Sequence, residues 1–318
     1  MPVRPRTELA HTDDIPVIDF TDAWSDSSAR WTVVEDIRGA CTDVGFFYVK
    51  NHGIPDMVVE RSLSVSQQFF ALNHSAKLML YQEDPISVNM GYRPFRDSNI
   101  DPSNSGDLME GVTFQWQARA DDASNNGNKW PAEAPAMRDG VLDYYDHALR
   151  LGVVIYRLLA LAIGVEEDFF ADKTKSAISR MRLLHYPEQK KEVVGAGAHS
   201  DFGTFTILLQ QPGIPALQVK NADGVWIEAP PIPGTLVVNL GDQTSRLTNG
   251  VFRSAPHRVL SRPGADRYSI PLFFLADFDV PLEPIASCVS AERPRRYGGA
   301  AETAGEQFEG LIKATRVR

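Results

Sequence analysis

Cysteine is rare in this chain: the 318 residues contain only Cys41 and Cys288. Two cysteines so far apart provide neither a disulfide framework nor a Cys-x-x-Cys zinc site. Any metal site must therefore be built mainly from histidine and carboxylate ligands. The chain offers seven histidines for this purpose.

Basic residues are also fewer than acidic residues. Lysine and arginine total 32 residues, aspartate and glutamate total 41, and the formal net charge is −9. This balance argues against nucleic acid or an anionic membrane surface as a partner. The one basic cluster, RPRRY at 293–297, is too short to change that conclusion.

Long apolar runs are absent. The most apolar stretch, 151–165, contains Arg157 and is too short to span a bilayer. The opening residues 1–14 lack the apolar core of a secretory signal. We therefore expect a cytoplasmic protein without a membrane partner, present as a monomer or a weak homo-oligomer. Its length suits one large domain or two small ones.

The spacing of apolar residues changes along the chain. It predicts helices over 29–45 and 56–72, and over 135–163 either one helix or two broken near Gly152. Short strands are expected at 15–20, 46–53 and 107–116. After residue 175 the period falls to two, with tight turns between short segments. Seven candidate strands follow, at 179–186, 205–210, 216–220, 225–229, 235–241, 254–261 and 267–276. This pattern is typical of a sandwich or jelly roll.

A group of metal-ligand residues lies within the strand-rich half. His199 and Asp201 stand two residues apart, so they share a face of an extended chain. His257, 56 residues after Asp201, is the best candidate for a third ligand. Two imidazoles and a carboxylate suit a non-haem Fe(II) centre with open positions. The same set also suits a catalytic zinc.

Arg267 and Ser269 help to separate these two metals. They stand two apart on a predicted strand, ten residues beyond His257. A guanidinium and a hydroxyl together suit a carboxylate, and a buried arginine needs an anionic partner. A dicarboxylate that chelates the metal at one end would supply that partner at the other.

The chain resembles the isopenicillin N synthase-like family of iron(II)/2-oxoglutarate-dependent dioxygenases. The similarity covers most of the chain. It rests on the segments IPVIDF, GFFYVKNHGIP, GYRPF, DLMEGVTF, HSDFGTFTILLQ, GTLVVNLGDQTSRLTNGVFRSAPHRV and RYSIPLFF. The resemblance implies a mixed α and β fold, with a double-stranded β-helix (jelly-roll) core flanked by helices. We expect an N-terminal region over 13–125, a catalytic jelly roll over 175–280 and a C-terminal helix over 300–316, all in one compact unit.

The resemblance also assigns site residues. It implies that His199, Asp201 and His257 bind the iron. It implies that Arg267, Ser269 and Tyr186 contact 2-oxoglutarate (2OG). The chain departs from the family at Leu184, where many relatives have an asparagine whose amide also contacts the co-substrate.

The implied activity uses Fe(II), 2OG and O2, with ascorbate in a supporting role. The enzyme would hydroxylate a small molecule of secondary or specialised metabolism, or desaturate, cyclise or rearrange it, and release succinate and CO2. Two alternatives stay open. One is a 2OG-independent oxidase of the same fold, and the other is a metal-binding jelly roll without redox chemistry.

The residues that contact substrate are expected near the predicted strand 107–116. On that strand Gly111 and Thr113 share one face, and Gly111 is expected to leave room for a ligand. Arg93 is a candidate for an anionic or carbonyl-bearing substrate, with a surface ion pair as an equally good alternative. Phe274 is a candidate for lining the cavity. His185 faces away from Tyr186, so a packed core histidine is favoured over a substrate contact.

Overall fold

The computed structural model describes residues 15–25, 28–82, 90–97, 106–115, 128–176, 179–297 and 302–315, with side chains described as far as residue 310. Trp116, the last residue of the predicted strand 107–116, lies outside these ranges. Six α-helices occur within them: α1 (Arg30–Asp43), α2 (Asp56–Phe70), α3 (His74–Leu78), α4 (Ala136–Ile163), α5 (Asp242–Leu247) and α6 (Ala304–Thr315). None of the helices in this described part of the chain is long and apolar enough to cross a membrane.

The same ranges contain twelve strands. They are β1 (Val17–Asp19), β2 (Phe46–Lys50), β3 (Gly91–Arg93), β4 (Glu110–Gln115), β5 (Ser179–Tyr186), β6 (Val193–His199), β7 (Phe205–Gln210), β8 (Leu217–Lys220), β9 (Trp226–Glu228), β10 (Thr235–Leu240), β11 (His257–Ser261) and β12 (Arg267–Phe274). Eight strands form a large sheet in the order β1-β2-β10-β7-β12-β5-β4-β3. The other four form a small sheet in the order β6-β11-β8-β9.

The strands after residue 175 match the predicted period of two, with one addition. All seven predicted strands are present, and β6 is an eighth that the sequence pattern did not reveal. Its segment, VVGAGAH, contains Gly195 and Gly197, and its apolar residues do not alternate with polar ones. The strand that carries His199 was therefore the hardest of the eight to recognise.

The large sheet separates two apolar clusters. On β12, Ile270 and Leu272 point to one face and pack in the larger cluster with the helices. Leu184 and Tyr186 of β5 belong to the smaller cluster, which lies between the two sheets. We call the face toward the small sheet the inner face and the face toward the helices the outer face. Residues two apart on a strand share a face, so Arg267 and Ser269 are inner residues.

Helix α4 runs without a break through Gly152, so the alternative of two helices is wrong. A Cβ at Gly152 would lie 2.2 Å from Cε1 of Phe274, which shows how closely the helix packs on that ring. The glycine is therefore required by packing of the helix against the outer face of the sheet. It costs helix propensity but does not interrupt the helix.

Candidate metal centre and its surroundings

The side chains of the three predicted metal ligands come together between the sheets. His199 ends β6 and His257 begins β11, and the two are register partners in the small sheet. Asp201 lies in the turn between β6 and β7. Nε2 of His199 and Nε2 of His257 lie 3.7 and 3.6 Å from Oδ1 of Asp201. One ligand atom from each residue lies within 4.8 Å of the others, a spacing suitable for a shared metal ion.

Backbone carbonyls orient both imidazole rings. Nδ1 of His199 lies 2.8 Å from the carbonyl oxygen of Gly197, and Nδ1 of His257 lies 3.2 Å from that of Ala255. A carbonyl can only accept, so each Nδ1 carries the proton and donates it. Each Nε2 then keeps its lone pair for a metal, the arrangement usual for metal-bound histidine.

The carboxylate of Asp201 is oriented by the large sheet. Its Oδ2 accepts hydrogen bonds from Oγ1 of Thr206 at 2.5 Å and from Nδ2 of Asn239 at 2.7 Å. Thr206 on β7 and Asn239 on β10 are register partners. These two donors occupy one carboxylate oxygen and leave Oδ1 facing the imidazoles.

The ionisation of His199 and Asp201 fits metal binding. Burial and the neighbouring His257 lower the pKa of His199 to about 4, although Asp201 opposes this change. Burial alone would raise the pKa of Asp201, but the two histidines and the bonds from Asn239 and Thr206 hold it below its usual value. At neutral pH the site therefore contains a neutral His199 and a charged carboxylate, the forms that bind metal. Two nitrogens and one oxygen fit Fe(II) and leave positions for other ligands.

A second polar site lies on the inner face of β12. Arg267 is only 3% exposed, and its guanidinium forms no ion pair with any carboxylate of the described residues. Its Nη1 donates to Oγ of Ser269 at 3.3 Å, and its Nη2 donates to Oε1 of Gln210 at 3.3 Å. Its carbon Cζ lies 5.0 Å from the ring centre of Tyr186, its register partner on β5. The three predicted 2OG contacts are thus neighbours.

Strand register explains how these side chains meet. Across the large sheet, Gly111 pairs with Leu184, Leu184 with Ser269, and Ser269 with Gln210. Partners in an antiparallel pair lie on the same face, so this row is on the inner face throughout. Leu184, the departure from the family pattern, presents an apolar side chain directly beside Ser269.

Other sets of register partners across the large sheet show where the metal site lies relative to the site around Arg267. Phe273 pairs with Thr206 and with Arg180, and Thr206 is a hydrogen-bond donor to Asp201. The row with Phe273 therefore lies at the metal end of the inner face. Ser269 lies four residues earlier on β12, a distance of about 13 Å along an extended strand. A molecule that reaches from Arg267 to the metal would lie along this face.

Gly111, Thr113 and Arg93 also lie on the inner face, as register partners of Leu184, Arg182 and Gly111. The expectation that Gly111 leaves room for a ligand is wrong, however. A Cβ at Gly111 would lie 2.9 Å from Cδ2 of Leu184 and 3.2 Å from Nη2 of Arg182. The space is filled by two side chains of the protein itself.

Phe274 does not line the site. It lies on the outer face of β12, where its ring stacks on Phe205 at 4.5 Å and contacts Tyr156 of α4. The expectation of a substrate contact for Phe274 is therefore wrong, because its side chain packs in the helix-facing core. Phe273, one residue earlier, faces inward and is partly exposed.

His185 is a packed core histidine, as expected. It lies on the outer face, and its Nδ1 is 2.8 Å from Oε1 of Glu110. The other carboxylate oxygen of Glu110 accepts from Nζ of Lys77 at 2.7 Å and from the hydroxyl of Tyr92 at 2.5 Å. This buried charged cluster lies directly behind the strand that carries Gly111 and Thr113.

Sequence reasoning missed four residues of the site: Thr206, Asn239, Gln210 and Arg182. Three of them belong to predicted strands whose partners were unknown, so the face of each strand could not be assigned. Arg182 had a detectable signal. It lies two and four residues before Leu184 and Tyr186, and so shares their face.

Comparison with known proteins agrees with this geometry. Residues 15–133 match the family described as non-haem dioxygenase in morphine synthesis N-terminal, and residues 177–276 match the 2OG-Fe(II) oxygenase superfamily. The chain belongs to the 2OG-Fe(II) oxygenase superfamily. The predicted cofactors Fe(II) and 2OG, the dioxygenase activity and the jelly-roll core are thereby confirmed.

Relatives of this superfamily match nearly the whole chain. The 2-oxoglutarate-Fe(II) type oxidoreductase hxnY of Emericella nidulans is 34% identical over 299 residues, which cover 89% of this chain and 85% of the relative. Homoarginine-6-hydroxylase 2-ODD-C23 of Glycine max is 32% identical over 266 residues, 80% of each chain. Full-length T7H of Neurospora crassa, in complex with alpha-KG and thymine, superimposes with a TM-score of 0.82 at 28% identity, covering 96% of this chain and 98% of that one.

Proposed function

We propose that this dioxygenase binds Fe(II) through His199, Asp201 and His257, and oxidises a small organic molecule beside it. Bound Fe(II) and 2OG supply the activation of O2, with 2OG converted to succinate and CO2 as the substrate is oxidised. The residues of this chain hold the metal and both organic molecules. Support for the ligand set comes from the orientation of each donor by a separate hydrogen bond.

The observation that carries the 2OG assignment is the buried guanidinium of Arg267, which has hydroxyl and amide neighbours but no carboxylate partner. Arg267 would bind the distal carboxylate of 2OG, and Ser269 would donate its hydroxyl to the same group. Tyr186 would form the wall beside them. Charge-assisted bonds of this type are strong inside a protein because water does not compete with them.

Leu184 has a different part in this arrangement from the asparagine of many relatives. Its side chain cannot donate or accept a hydrogen bond, so it excludes water from the neighbourhood of Ser269. We infer that Arg267 and Ser269 provide the main polar contacts of the distal carboxylate. The 2OG-independent alternative would leave this buried charge without a partner, which is costly.

The substrate of the proposed reaction is a small molecule. The T7H structure holds thymine, and the name of the Glycine max relative gives homoarginine as its substrate. We propose that Thr113 and Arg93 line the substrate side of the pocket, and that Gly111 shapes it by admitting Arg182 and Leu184. Phe273 replaces Phe274 as the aromatic residue of this pocket.

Secondary or specialised metabolism, a cytoplasmic location and a monomeric or weakly associated state complete the proposal. The acidic net charge of −9 favours a protein that does not associate with nucleic acid. The regions 13–125, 175–280 and 300–316, joined in one compact unit, stay a prediction.

The experiment that tests the proposed function combines metal analysis with succinate release. Protein reconstituted anaerobically with Fe(II) should bind one iron and 2OG, and should release succinate slowly on exposure to O2. A substrate found in a metabolite panel should accelerate that release. Preferential binding of zinc without O2 uptake would instead support the non-redox alternative, and substrate oxidation without succinate would support the 2OG-independent oxidase.

A further inference from the structure

On the part of the inner face formed by β3, β4 and β5, three buried polar atoms have no hydrogen-bond partner among the described residues. They are Nε of Arg182, Oγ1 of Thr113 and Nε of Arg93. Buried polar groups in proteins are nearly always satisfied, so an unpaired cluster needs an explanation. Thr113 and Arg182 are register partners on β4 and β5, and Arg93 pairs with the adjacent Gly111. The three atoms therefore belong to one patch of the inner face.

Arg182 differs from Arg93 in its surroundings. Arg93 has an ion pair with Asp97 at 3.4 Å and lies 4.9 Å from the ring centre of Tyr81. Arg182 forms neither a hydrogen bond nor an ion pair with the described residues. Burial lowers its pKa, while Tyr186 and Asp107 raise it and Arg93 lowers it further. A guanidinium stays charged in proteins, so Arg182 is a positive charge without a counter-ion in contact.

The guanidinium of Arg182 lies directly against β4. Its Nη2 would be 3.2 Å from a Cβ at Gly111, a close contact that the absence of a side chain at this position relieves. Cδ2 of Leu184 would lie 2.9 Å from the same Cβ. The side chain is thus held on the inner face beside Thr113, and Gly111 is the residue that permits it.

The position of Arg182 along β5 connects it with both parts of the proposed reaction. Leu184, two residues later, lies in the row of Ser269, and Arg180, two residues earlier, lies in the row of Phe273 and Thr206. Each step of two residues is about 7 Å. Arg182 therefore lies between the proposed 2OG contacts and the metal end, on the side of β4.

We propose that Arg182 and Thr113 bind the carboxylate of an acidic substrate. This inference rests on the proposed function. The planar guanidinium would accept a carboxylate in a bidentate arrangement, and the Thr113 hydroxyl would donate a further bond. The charge of 2OG is matched by Arg267, so the half-buried guanidinium of Arg182, which has no carboxylate in contact among the described residues, can pair with a second anion. A neutral amide or imide would satisfy hydrogen bonds but would place no negative charge in direct contact with the guanidinium.

The test uses the full-length protein with Fe(II) and 2OG bound, under anaerobic conditions. The probes are carboxylic acids, each paired with its primary amide: phenylacetate and phenylacetamide, indole-3-acetate and indole-3-acetamide, nicotinate and nicotinamide, with thymine as a neutral imide. Calorimetry measures the binding of each probe. Release of succinate after admission of O2 shows whether a bound probe stimulates 2OG turnover.

We expect the wild-type protein to bind at least one acid about tenfold or more tightly than its amide. Arg182→Gln should abolish this preference, Arg182→Lys should keep part of it, and Thr113→Val should weaken acid binding several-fold. Arg258→Gln is the matched control, because Arg258 contacts Gln218 and Trp226 away from the pocket. Its acid binding should equal that of the wild type.

Retained 2OG binding distinguishes this inference from the proposed function. Arg182→Gln should bind 2OG and iron as the wild type does, and retention of those ligands also shows that the variant is folded. Tighter binding of amides or thymine than of acids would overturn the inference, as would an acid preference that survives Arg182→Gln or the failure of every acid to bind. Failure of the wild type to bind 2OG would instead contradict the proposed function.

Discussion

Gln210 accepts a hydrogen bond from the guanidinium of Arg267 at 3.3 Å, and its amide nitrogen donates to the carbonyl of Ala229 at 3.1 Å. The second bond fixes the orientation of the amide, so its oxygen faces Arg267. Gln210 therefore holds the guanidinium in place from the side opposite Leu184. This makes it a positioning residue for the proposed 2OG site.

Replacing Gln210 tests that relationship. Gln210→Leu removes a hydrogen bond of about 0.5–1.5 kcal/mol, so the KM for 2OG should rise roughly two- to tenfold. Gln210→Glu should raise it more, because the new carboxylate would pair with Arg267 and compete with 2OG. Gln68→Leu, on the exposed face of α2, provides the control. An unchanged KM in both Gln210 variants would show that Gln210 has no part in co-substrate binding.

Arg267 should determine the affinity for 2OG. Its removal takes away a charge-assisted contact of roughly 1.5–3 kcal/mol, or about one to two decades in affinity. Arg267→Leu should therefore raise the KM for 2OG by that factor, with little change in iron binding. Arg267→Lys should lie between the two, since it keeps the charge but loses the planar fork. A leucine variant with the wild-type KM would refute the assignment.

The three proposed metal ligands should each be essential for activity. Substituting alanine for any one of His199, Asp201 or His257 should lower iron content and reduce turnover at least a hundredfold. The far-ultraviolet circular dichroism should not change, because these side chains serve the metal. His74→Ala, an exposed histidine of α3, should behave as the wild type. Normal turnover and iron content in any one of the three ligand variants would show that the triad is wrongly assigned.

The buried pair of Lys77 and Glu110 should stabilise the fold only while both partners are present. Glu110→Gln leaves the Lys77 ammonium buried without its carboxylate, a loss of about 3–5 kcal/mol. The double variant Lys77→Met with Glu110→Gln should recover a large part of that loss, because no unpaired charge remains. Urea unfolding of the two single variants and the double variant measures the coupling. If the losses of the two single variants simply added in the double variant, Lys77 and Glu110 would not be coupled.

The same cluster predicts an acid-dependent loss of stability. Burial alone would raise the pKa of Glu110, but hydrogen bonds from His185, Lys77 and Tyr92 hold it below its usual value. A lowered folded-state pKa gives stability that is complete above the unfolded value of about 4.3 and is lost as pH falls through the folded value. The free energy of unfolding should therefore decrease below about pH 4. In Glu110→Gln the free energy of unfolding should depend less on pH in this range. If it fell as steeply as in the wild type, the Glu110 carboxylate would not be the cause of the loss.

Parts of the candidate metal site and of the proposed 2OG site could be predicted from the sequence because each contains a pair of residues two apart along the chain. His199 and Asp201, and Arg267 and Ser269, need no knowledge of strand pairing. Gln210 does need it, since it meets Ser269 only through the register of β7 and β12. Phe274 was mistaken for a pocket residue although the chain contained the signal. Counting in twos from Arg267 and Ser269 leads to Phe273.

The hydrogen bonds of the triad divide it between the two sheets. The imidazoles of His199 and His257 belong to β6 and β11 of the small sheet, whereas Asp201 is held by Thr206 and Asn239 of the large one. An ion bound by all three residues would link the small sheet to the large sheet. Separation of the sheets would then require release of the ion, so metal binding should slow hydrogen exchange of the β6 and β11 amides by the linkage between ligation and opening. The metal would then have a structural role as well as a catalytic one, and the free energy needed to separate the two sheets would increase with the concentration of iron.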